Sequence, residues 1–595
     1  MTKETNAVFS FGIITDTHIR APEGDLSSPY PVNDKANDRA RYAVNLLAQS
    51  QHDFFIHLGD MVHPLPHMDA YRPAAMEAHK IFLPLKPALY FVPGNHDAGD
   101  KVSDVSPAGA ADQTTIKSYE DAFGASHYSF QHKGVLFIVM NSSLINGGTV
   151  EEAAQRKWLE GLLEQAKGKR IILFSHYPPF IYRSDEADHY DNYAMPGRQW
   201  LLDLAATAGV EAIISGHVHH FFLNQYKDVQ LYCLPATSFT RQDYAVLFRG
   251  PPAAEFGRDD AAKFGVTTMT MHGDHHQISW HPTGGKMHGA PENMPQNMPE
   301  NTPVRMALNY LQIPRLIPSL RHDWGGAIAM PANGPMEEFS RKMARNDYPI
   351  LRIIQLGIKT VRLPMIDFID PDRFTRMAIL HRMGVRFVLF SAHEISLVHL
   401  EKLRACKHMI EAVELVGRDV AEIDPQKGKV MGALKDMGLA IWLSKITTSA
   451  AQIDKTKPFA HTVSTGCLVH EMPQLIEKVS ARNNADRLIV QCPWQGDYMP
   501  MAMQQILDRW CECAAENLQL GLNIRLAPSN PADANTDADA LAATIMAAQK
   551  LSHEHHDIAF MLDSFESFDR GYHPRLGLID TLSNISDWYP LDHPN

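Results

Sequence analysis

Five short polar motifs, each directly after an apolar run, constrain the fold of this 595-residue chain most strongly. The runs are FSFGIIT, FFIHL, ALYFVP, RIILF and EAIIS. Short runs this rich in Phe, Ile, Leu and Val are typical of buried strands. The motifs that follow them are Asp16-Thr17-His18, Gly59-Asp60, Gly94-Asn95-His96-Asp97, Ser175-His176 and Gly216-His217-Val218-His219. The pattern predicts an α/β fold with these motifs at the carboxyl ends of strands, the edge at which such sheets bind ligands.

The side chains in these motifs are candidate metal ligands. Two Asp, one Asn and four His are expected to converge on one rim: Asp16, His18, Asp60, Asn95, His176, His217 and His219. Carboxylate and imidazole suit Mn, Fe, Zn, Co or Ni. Seven ligands are enough for two divalent cations, and a carboxylate between them can hold them about 3.5–4 Å apart, as in hydrolytic two-metal sites.

The motif order D-x-H, GD, GNHD, SH, GHxH resembles that of the calcineurin-like metallophosphoesterases over about residues 8–245. The SHYPP and GHVHH contexts look most like the class III cyclic nucleotide phosphodiesterases. The resemblance implies a four-layer α/β sandwich with two metal ions, drawn from Mn, Fe and Zn, bridged by Asp60. It assigns Asp16, His18, Asp60 and His219 to one metal, and Asp60, Asn95, His176 and His217 to the other.

The same resemblance implies roles for side chains around the metals. His96 is expected to face the scissile phosphoryl group without binding metal, and Asp97 to orient it. The family's second motif often reads GDLxD, whereas this chain reads GDMVH, so His63 replaces an acid near Asp60. Substrate contacts are expected from Asn95, His96, Tyr182 and Arg183. The last two lie in the polar insertion 180–199, which is predicted either to cap the metals or to be a surface excursion.

A second pattern covers the C-terminal half. Eight strand-like runs alternate with helical stretches, which predicts parallel pairing and a TIM-type (β/α)8 barrel. The runs are TVRLPMI (360–366), RFVLFS (386–391), AVELVG (412–417), LAIWLSK (439–445), HTVSTG (461–466), RLIVQC (487–492), LNIRLA (522–527) and IAFMLDS (558–564). GGAIAMPA (325–332) could be a ninth strand. No opposed pair of carboxylates of the kind a glycosidase needs is obvious at the strand ends.

These patterns give three segments. Residues 1–281 are predicted to form the metallophosphoesterase domain, closed by a hairpin over 264–281. Residues 282–304 are rich in Pro, Asn and Gly and read as a linker, because such a segment forms neither a sheet ladder nor a long helix. Residues 305–595 are predicted to form the barrel.

Composition limits the partners and the compartment. The net charge of −13 argues against extended contact with a nucleic-acid polymer, but not against a small phosphoester held locally by metals. The six cysteines form no CxxC pair, which favours a reducing compartment. No signal peptide or membrane span is expected, so the predicted location is cytoplasmic. A homo-oligomer is left open.

We therefore expect a binuclear-metal phosphodiesterase that hydrolyses small phosphodiesters, with 3′,5′-cyclic nucleotides among the candidates, by attack of a metal-bridging hydroxide. One alternative is a phosphomonoesterase with the same metal centre. Another is a carbohydrate-binding or carbohydrate-processing barrel with an accessory phosphoesterase domain.

Overall fold

The structure, a computed structural model, describes residues 9–103, 106, 109–247, 254–288, 316–320, 324–331, 342–417, 425–447, 465–481, 485–513, 517–526 and 538–563. The chain divides into two compact units. Unit 1 comprises residues 1–308 and 326–355, and unit 2 comprises residues 309–325 and 356–595. Most of the predicted linker, from residue 289 onward, lies outside the described residues, so the linker stays a prediction.

The elements are numbered along the chain. The strands are β1 (Phe9–Ile14), β2 (Phe54–His57), β3 (Leu89–Phe91), β4 (Tyr128–His132), β5 (Val135–Val139), β6 (Arg170–Phe174), β7 (Ala212–Ser215), β8 (Phe222–Tyr226), β9 (Val229–Cys233), β10 (Gly265–Met271), β11 (His276–Pro282), β12 (Leu316–Pro318), β13 (Ala327–Ala329), β14 (Met343–Arg345), β15 (Thr360–Pro364), β16 (Arg386–Ser391), β17 (Ile410–Gly417), β18 (Ala440–Lys445), β19 (Arg487–Cys492), β20 (Gln519–Arg525) and β21 (Ala559–Asp563). The α-helices are α1 (Ala36–Ala48), α2 (Tyr71–Phe82), α3 (Asn95–Ala98), α4 (Gln113–Phe123), α5 (Val150–Gln165), α6 (Gly197–Ala208), α7 (Tyr348–Gln355), α8 (Met365–Ile369), α9 (Pro371–Arg382), α10 (Leu397–Ala405), α11 (Pro425–Asp436), α12 (Met472–Ser480), α13 (Met499–Glu512) and α14 (Ala538–Glu554). Among the described residues, no helix has both the length and the apolar character needed to cross a membrane.

Two sheets form the middle of unit 1. One has the order β11-β10-β1-β2-β3 and the other the order β4-β5-β6-β7-β9-β8. An aromatic layer joins them: the Phe11 ring stacks on Phe54 at 4.7 Å and meets the Phe137 ring edge-on at 5.4 Å. Side chains point alternately to the two faces of a strand, so the neighbours of these Phe residues face outward toward helices.

Helices cover the outer face of each sheet. Ile14 and Phe55 belong to one buried cluster with residues of α1 and α2, including Val44 and Ala78. Leu136 and Ile171 belong to another cluster, with Leu159 and Leu163 of α5 and Leu201 of α6. Leu159 and Leu163 are four residues apart and therefore share one helix face. The order helix, sheet, sheet, helix confirms the predicted four-layer sandwich.

Unit 2 contains one eight-stranded parallel sheet, in the order β12-β21-β20-β19-β18-β17-β16-β15. Its two ends meet, because Ser319, directly after β12, forms a parallel bridge with Arg362 of β15. The amide of Leu320 also donates to the carbonyl of Arg362 at 3.1 Å. The sheet is therefore nearly closed, which confirms the predicted barrel-like architecture.

Two details of the barrel differ from the sequence prediction. The closing strand is β12, which no periodic pattern marks because it has three residues. The segment 325–332 supplies no ninth strand of this sheet: its β13 pairs antiparallel with β14 in a separate two-stranded sheet of unit 1.

The predicted strand 461–466 lies outside the described residues up to residue 464. Thr465 forms an antiparallel bridge with Ile446, and Cys467 a parallel bridge with Val490. Direct pairing of β18 with β19 is confined to two residue pairs, Trp442 with Arg487 and Leu443 with Leu488. The bridges therefore place residues 465–467 between the C-terminal ends of β18 and β19, which follow those two pairs.

Candidate metal centre

The five polar motifs all follow strand ends in the two sheets of unit 1. Asp16 and His18 follow β1, Asp60 follows β2, and Asn95 begins α3 after β3; His176 follows β6, and His217 and His219 follow β7. The placement at carboxyl ends agrees with the sequence prediction, and it brings loops of both sheets to one edge.

The backbone at this edge is strained. Five of the predicted ligands have a left-handed φ: 49° at Asp16, 46° at His18, 52° at Asp60, 69° at His217 and 59° at His219. This region is costly for residues with a Cβ, and such residues cluster at functional sites. The strain is an observation independent of the motifs, and it marks the same residues.

Two glycines allow the loops to approach closely. A Cβ at Gly94 would lie 2.1 Å from the amide nitrogen of Asp60, and one at Gly216 would lie 2.2 Å from Oγ1 of Thr15. Real Cβ atoms essentially never approach another heavy atom to less than 3.0 Å. The glycines of the GNHD and GHVH motifs therefore allow the contacts that bring the polar side chains together.

The first group of potential metal ligands lies at the loop after β1. Asp16, His18, Asp60 and His219 offer ligand atoms that all lie within 4.8 Å of one another. His18 Nε2 lies 3.0 Å from His219 Nε2 and 3.5 Å from Oδ2 of Asp60. His219 Nε2 also lies 3.2 Å from Oδ1 of Asp16. All four residues are buried.

A second group shares Asp60 with the first. Asp60, His176 and His217 offer ligand atoms within the same distance of one another. His176 Nε2 lies 3.3 Å from Oδ1 of Asp60. Oδ1 of Asn95 lies 3.1 Å from His176 Nε2 and 3.0 Å from His217 Nδ1. The two groups coincide with the ligand sets inferred from the family resemblance, while ligation itself stays a prediction.

The outer nitrogens of two histidines indicate that the centre can hold a cation. His176 Nδ1 donates to the carbonyl of Leu58 and His219 Nδ1 to the carbonyl of Phe239, each at 2.8 Å. A carbonyl can only accept, so the proton of each neutral ring is on Nδ1 and Nε2 faces inward with a lone pair. These lone pairs face carboxylate oxygens. Acceptors that face acceptors in a buried space need positive charge between them, which a proton on His176 Nε2 or a bound cation can supply, and a divalent cation fits this donor set.

The pKa values describe the same electrostatic situation. Burial lowers the pKa of His18 and of His217 well below the usual value, which leaves these rings neutral and able to bind metal. Burial alone would also lower the pKa of His176, but the Asp60 carboxylate raises it to about 9. Burial alone would raise the pKa of Asp60, but His176 and His96 hold it well below its usual range. Asp60 therefore stays charged.

His96 is held by a different residue from the one expected. Its Nδ1 contacts the backbone carbonyl of His63. The Asp97 carboxylate accepts from the amides of Gly94, Val62 and Met61, at 3.0, 3.2 and 3.3 Å. Asp97 therefore ties the loop after β3 to the loop after β2. The ring contact of His96 in the structure comes from the backbone of His63, and the orienting role expected of Asp97 stays a prediction. Burial and the Asp60 charge raise the pKa of Asp97 to about 7.

His63 itself lies beside the first group. Its Nδ1 is 3.1 Å from Nδ1 of His18, and the amide of Asn33 contacts its ring at 3.2 Å. An imidazole therefore lies beside His18, and it comes from the motif position at which the resembled family often has an acid. His18, His63 and His96 also form a third group of potential ligands in the structure.

The insertion 180–199 reaches the centre through Tyr190. Its hydroxyl accepts from Nδ2 of Asn95 at 3.3 Å, and its ring centroid lies 5.0 Å from that of His217. The two substrate residues predicted from this segment have other contacts. Arg183 is exposed and pairs with Asp185, and the Tyr182 ring lies under the guanidinium of Arg345. Substrate contact by Tyr182 and Arg183 stays a prediction.

Sequence reasoning missed a buried cluster of charges beside Tyr190 and His217. We call it the Asp191 cluster, and its members are Asp191, Arg241, Asp243, Tyr244 and Lys342, all within unit 1. Asp191 contacts Arg241 and Lys342, and accepts from the Tyr244 hydroxyl at 2.7 Å. Asp191 is separated from the other four residues by 50 to 151 positions in the chain, so no local pattern joins it to them.

The interior of the barrel in unit 2 also holds a buried ion pair. Arg362 Nε donates to Oε2 of Glu414 at 2.7 Å, and the Ser444 hydroxyl donates to Oε1 at 2.5 Å. Arg362 and Glu414 lie on β15 and β17, and both are buried. Both carboxylate oxygens of Glu414 therefore have donors, so the buried charge is paired within the sheet of unit 2.

Comparison with known proteins finds a family match for part of unit 1. Residues 9–221 match the family model described as Calcineurin-like phosphoesterase. This match confirms the recognition drawn from the five motifs for these residues.

Individual relatives and a solved structure are similar to parts of the chain. The Serine/threonine-protein phosphatase CPPED1 of Rattus norvegicus is 28% identical over 205 residues, which are 33% of this chain and 62% of that protein. A probable cyclic nucleotide phosphodiesterase of Psychrobacter sp. (strain PRwf-1) is 24% identical over 231 residues, which are 38% of this chain and 62% of that protein. The chain thus spans under two thirds of the length of these relatives. The solved purple acid phosphatase PPD1 of yellow lupin (Lupinus luteus) has 15% identity and a TM-score of 0.34, over 47% of this chain and 52% of that chain.

Proposed function

We propose that unit 1 is a binuclear-metal phosphodiesterase that hydrolyses small phosphodiesters, with 3′,5′-cyclic nucleotides among the candidate substrates. The observation that carries the proposal is the pair of ligand groups that share Asp60. When bound, two divalent cations would supply Lewis-acid activation of the phosphoryl group and of the attacking water. Asp16, His18, Asp60 and His219 would hold one cation, and Asp60, Asn95, His176 and His217 the other.

His96 is the side chain that moves a proton in this proposal. Its Nδ1 contacts the carbonyl of His63, which leaves Nε2 as the nitrogen that can hold or donate a proton. The ring lies beside His18, with centroids 4.7 Å apart, and its backbone amide donates to Oδ1 of Asp60 at 2.9 Å. His96 is thereby fixed next to the shared carboxylate. Protonated Nε2 would stabilise charge on the phosphoryl oxygens or protonate the departing oxygen.

The charges near the centre support a diester over a monoester. A phosphomonoester carries one more negative charge than a diester and gains more from a nearby cation. In the part of the chain that the structure describes, Lys101, Arg241 and Lys342 lie near Tyr190 or the adjoining residues 189 and 191, and each already has partners. Lys342 and Arg241 contact Asp191, and Lys101 donates to the carbonyl of His189 at 2.7 Å. Side chains engaged in this way favour a singly charged substrate.

A phosphomonoesterase with the same centre is the second candidate. It is supported by the relatives that are named serine/threonine-protein phosphatases, which align over a third of this chain. Both candidate functions use the same set of metal ligands. Only the measured preference for a diester or a monoester substrate can distinguish them.

The test is hydrolysis of bis-(p-nitrophenyl) phosphate beside p-nitrophenyl phosphate by the full chain loaded with Mn, Zn or Fe. A larger kcat/KM for the diester supports the proposal. A larger kcat/KM for the monoester contradicts it and favours the second candidate. The matched control is Asp60→Asn, which keeps the shape of the side chain and removes the shared charge. If that variant is as active as the wild type, the activity does not come from this centre.

A further inference from the structure

His217 differs from the other histidines of the metal centre in what holds its outer nitrogen. His176 and His219 donate to backbone carbonyls on that side. His217 Nε2 is buried and has no hydrogen-bond partner. It lies 3.7 Å from Oδ1 of Asp191. This separation exceeds a usual N–H···O distance of about 2.9 Å by less than 1 Å.

Asp191 is built into the fold as a charged group. It is fully buried, and a buried carboxylate is costly unless it is paired. Arg241 contacts its Oδ1, while Lys342 and the Tyr244 hydroxyl contact its Oδ2. Lys342 Nζ also donates to Oδ2 of Asp243 at 2.6 Å. The carboxylates of Asp191 and Asp243 are thus balanced by the cations of Arg241 and Lys342. Removing Lys342 would leave a buried net negative charge beside His217.

Lys342 comes from a part of the chain that the sequence analysis assigned to the barrel. The residues that follow it belong to unit 1 and contact earlier parts of that unit at several points. Arg345 Nη1 donates to the carbonyl of Tyr182 at 2.9 Å, and the amide of Leu223 donates to Oδ2 of Asp347 at 2.9 Å. The Tyr348 hydroxyl donates to the carbonyl of Ala262. These contacts fix the segment, and they fix Lys342 against Asp191.

We infer that Asp191 is a positioning residue that orients His217 in the metal centre, and that Lys342 holds Asp191 in place for it. A histidine that binds metal with one nitrogen commonly gives the proton of the other to a carboxylate, which fixes the ring and raises its basicity. His217 presents Nδ1 to Asn95 and Nε2 to Asp191. The inference rests on the proposed metal centre, and it adds residues far along the chain to that centre.

The experiment is a titration of the apo form of the full chain with Co²⁺ alone, followed by calorimetry and by the visible spectrum. Asp191→Asn is compared with Asp243→Asn. Both variants remove one buried charge from the same cluster with little change of shape, and only Asp191 faces His217. In Asp191→Asn we expect the second equivalent of Co²⁺ to bind about 10–100-fold more weakly, the usual effect of losing a residue behind a metal ligand. Asp243→Asn should keep the wild-type affinity for both equivalents.

The outcomes separate the inference from the proposed function. Wild-type protein that fails to bind two Co²⁺ ions contradicts the metal centre itself. Wild-type protein that binds two, with Asp191→Asn and Asp243→Asn equal to each other, contradicts only the inference and makes the Asp191 cluster purely structural. Thermal unfolding of both variants measures that structural contribution separately.

A second pair of variants covers the case in which Asp191→Asn does not fold. Lys342→Met removes the cation that holds Oδ2 of Asp191, and Lys342→Arg keeps a cation there. We expect weaker binding of the second Co²⁺ in Lys342→Met and recovery in Lys342→Arg. Wild-type affinity in Lys342→Met would overturn the role of Lys342.

Discussion

The close approach of two loops at Gly94 gives a prediction with a magnitude. In Gly94→Ala the new Cβ would lie 2.1 Å from the amide nitrogen of Asp60 and 2.3 Å from its Oδ1. The φ of Gly94 is −94°, which alanine also adopts, so the effect is steric and not conformational. To reach even 3.0 Å, the two loops must separate by 3.0 − 2.1 = 0.9 Å.

That displacement moves the carboxylate shared by both ligand groups. A misplacement of about 1 Å at a reacting centre can cost about 10²-fold in rate, which corresponds to about 2.7 kcal/mol in the activation free energy. We therefore expect kcat/KM for the diester to fall about 10²-fold in Gly94→Ala. The bound metal, measured by elemental analysis, should fall as well.

The matched control is Gly161→Ala. Gly161 lies in α5, and a Cβ there has nothing within 4 Å. Alanine in a helix is favoured over glycine by up to about 1 kcal/mol, so this variant should be as active as the wild type and no less stable. If Gly94→Ala has wild-type kcat/KM and metal content, the reasoning about loop approach and about Asp60 is refuted.

Three further variants test other residues. Asp60→Asn keeps an oxygen for the His96 amide but removes the shared charge, so metal content and turnover should both fall by at least about tenfold, and unchanged metal content would contradict the shared role. His96→Ala should keep its metal and lose about 10²–10⁴-fold in kcat, as expected for a general acid, whereas loss of metal would make His96 a ligand. Burial lowers the pKa of His52 to about 4, whereas the unfolded chain has the ordinary value of about 6.5. As pH falls, the unfolded state therefore binds a proton at His52 before the folded state does. The contribution of neutral His52 to the free energy of unfolding is complete above about pH 6.5 and is lost toward pH 4. The loss is about 3 kcal/mol, and denaturant unfolding of His52→Gln should show a correspondingly weaker acid dependence, while an unchanged dependence would refute this assignment.

Much of unit 1 could be predicted because its signals are local. Each predicted ligand follows an apolar run within a few residues. One short stretch of sequence therefore predicts both the strand and the ligand, as with Ile14 before Asp16. The four layers were implied by the family resemblance, and the alternation of strands and helices fits them. The same kind of pattern predicted the barrel-like sheet of unit 2, whose strands β15 to β18 begin within two residues of the predicted runs.

The features that were missed depend on contacts between distant residues. Asp191 and Lys342 are 151 positions apart, and nothing near either one indicates the other. Strand β12 has three residues, too few to show a period of two. The role of Asp97 was inferred from its neighbour His96, but its carboxylate accepts from amides of the loop after β2, which only the folded chain brings near.

The central claim is that two cations bound around Asp60 make unit 1 a phosphodiesterase. The most direct test follows hydrolysis of bis-(p-nitrophenyl) phosphate while the apo form is titrated with Mn²⁺. The account predicts that activity rises until two equivalents per chain are bound and then levels off. Full activity at one equivalent, or no diester hydrolysis with two ions bound, would contradict it.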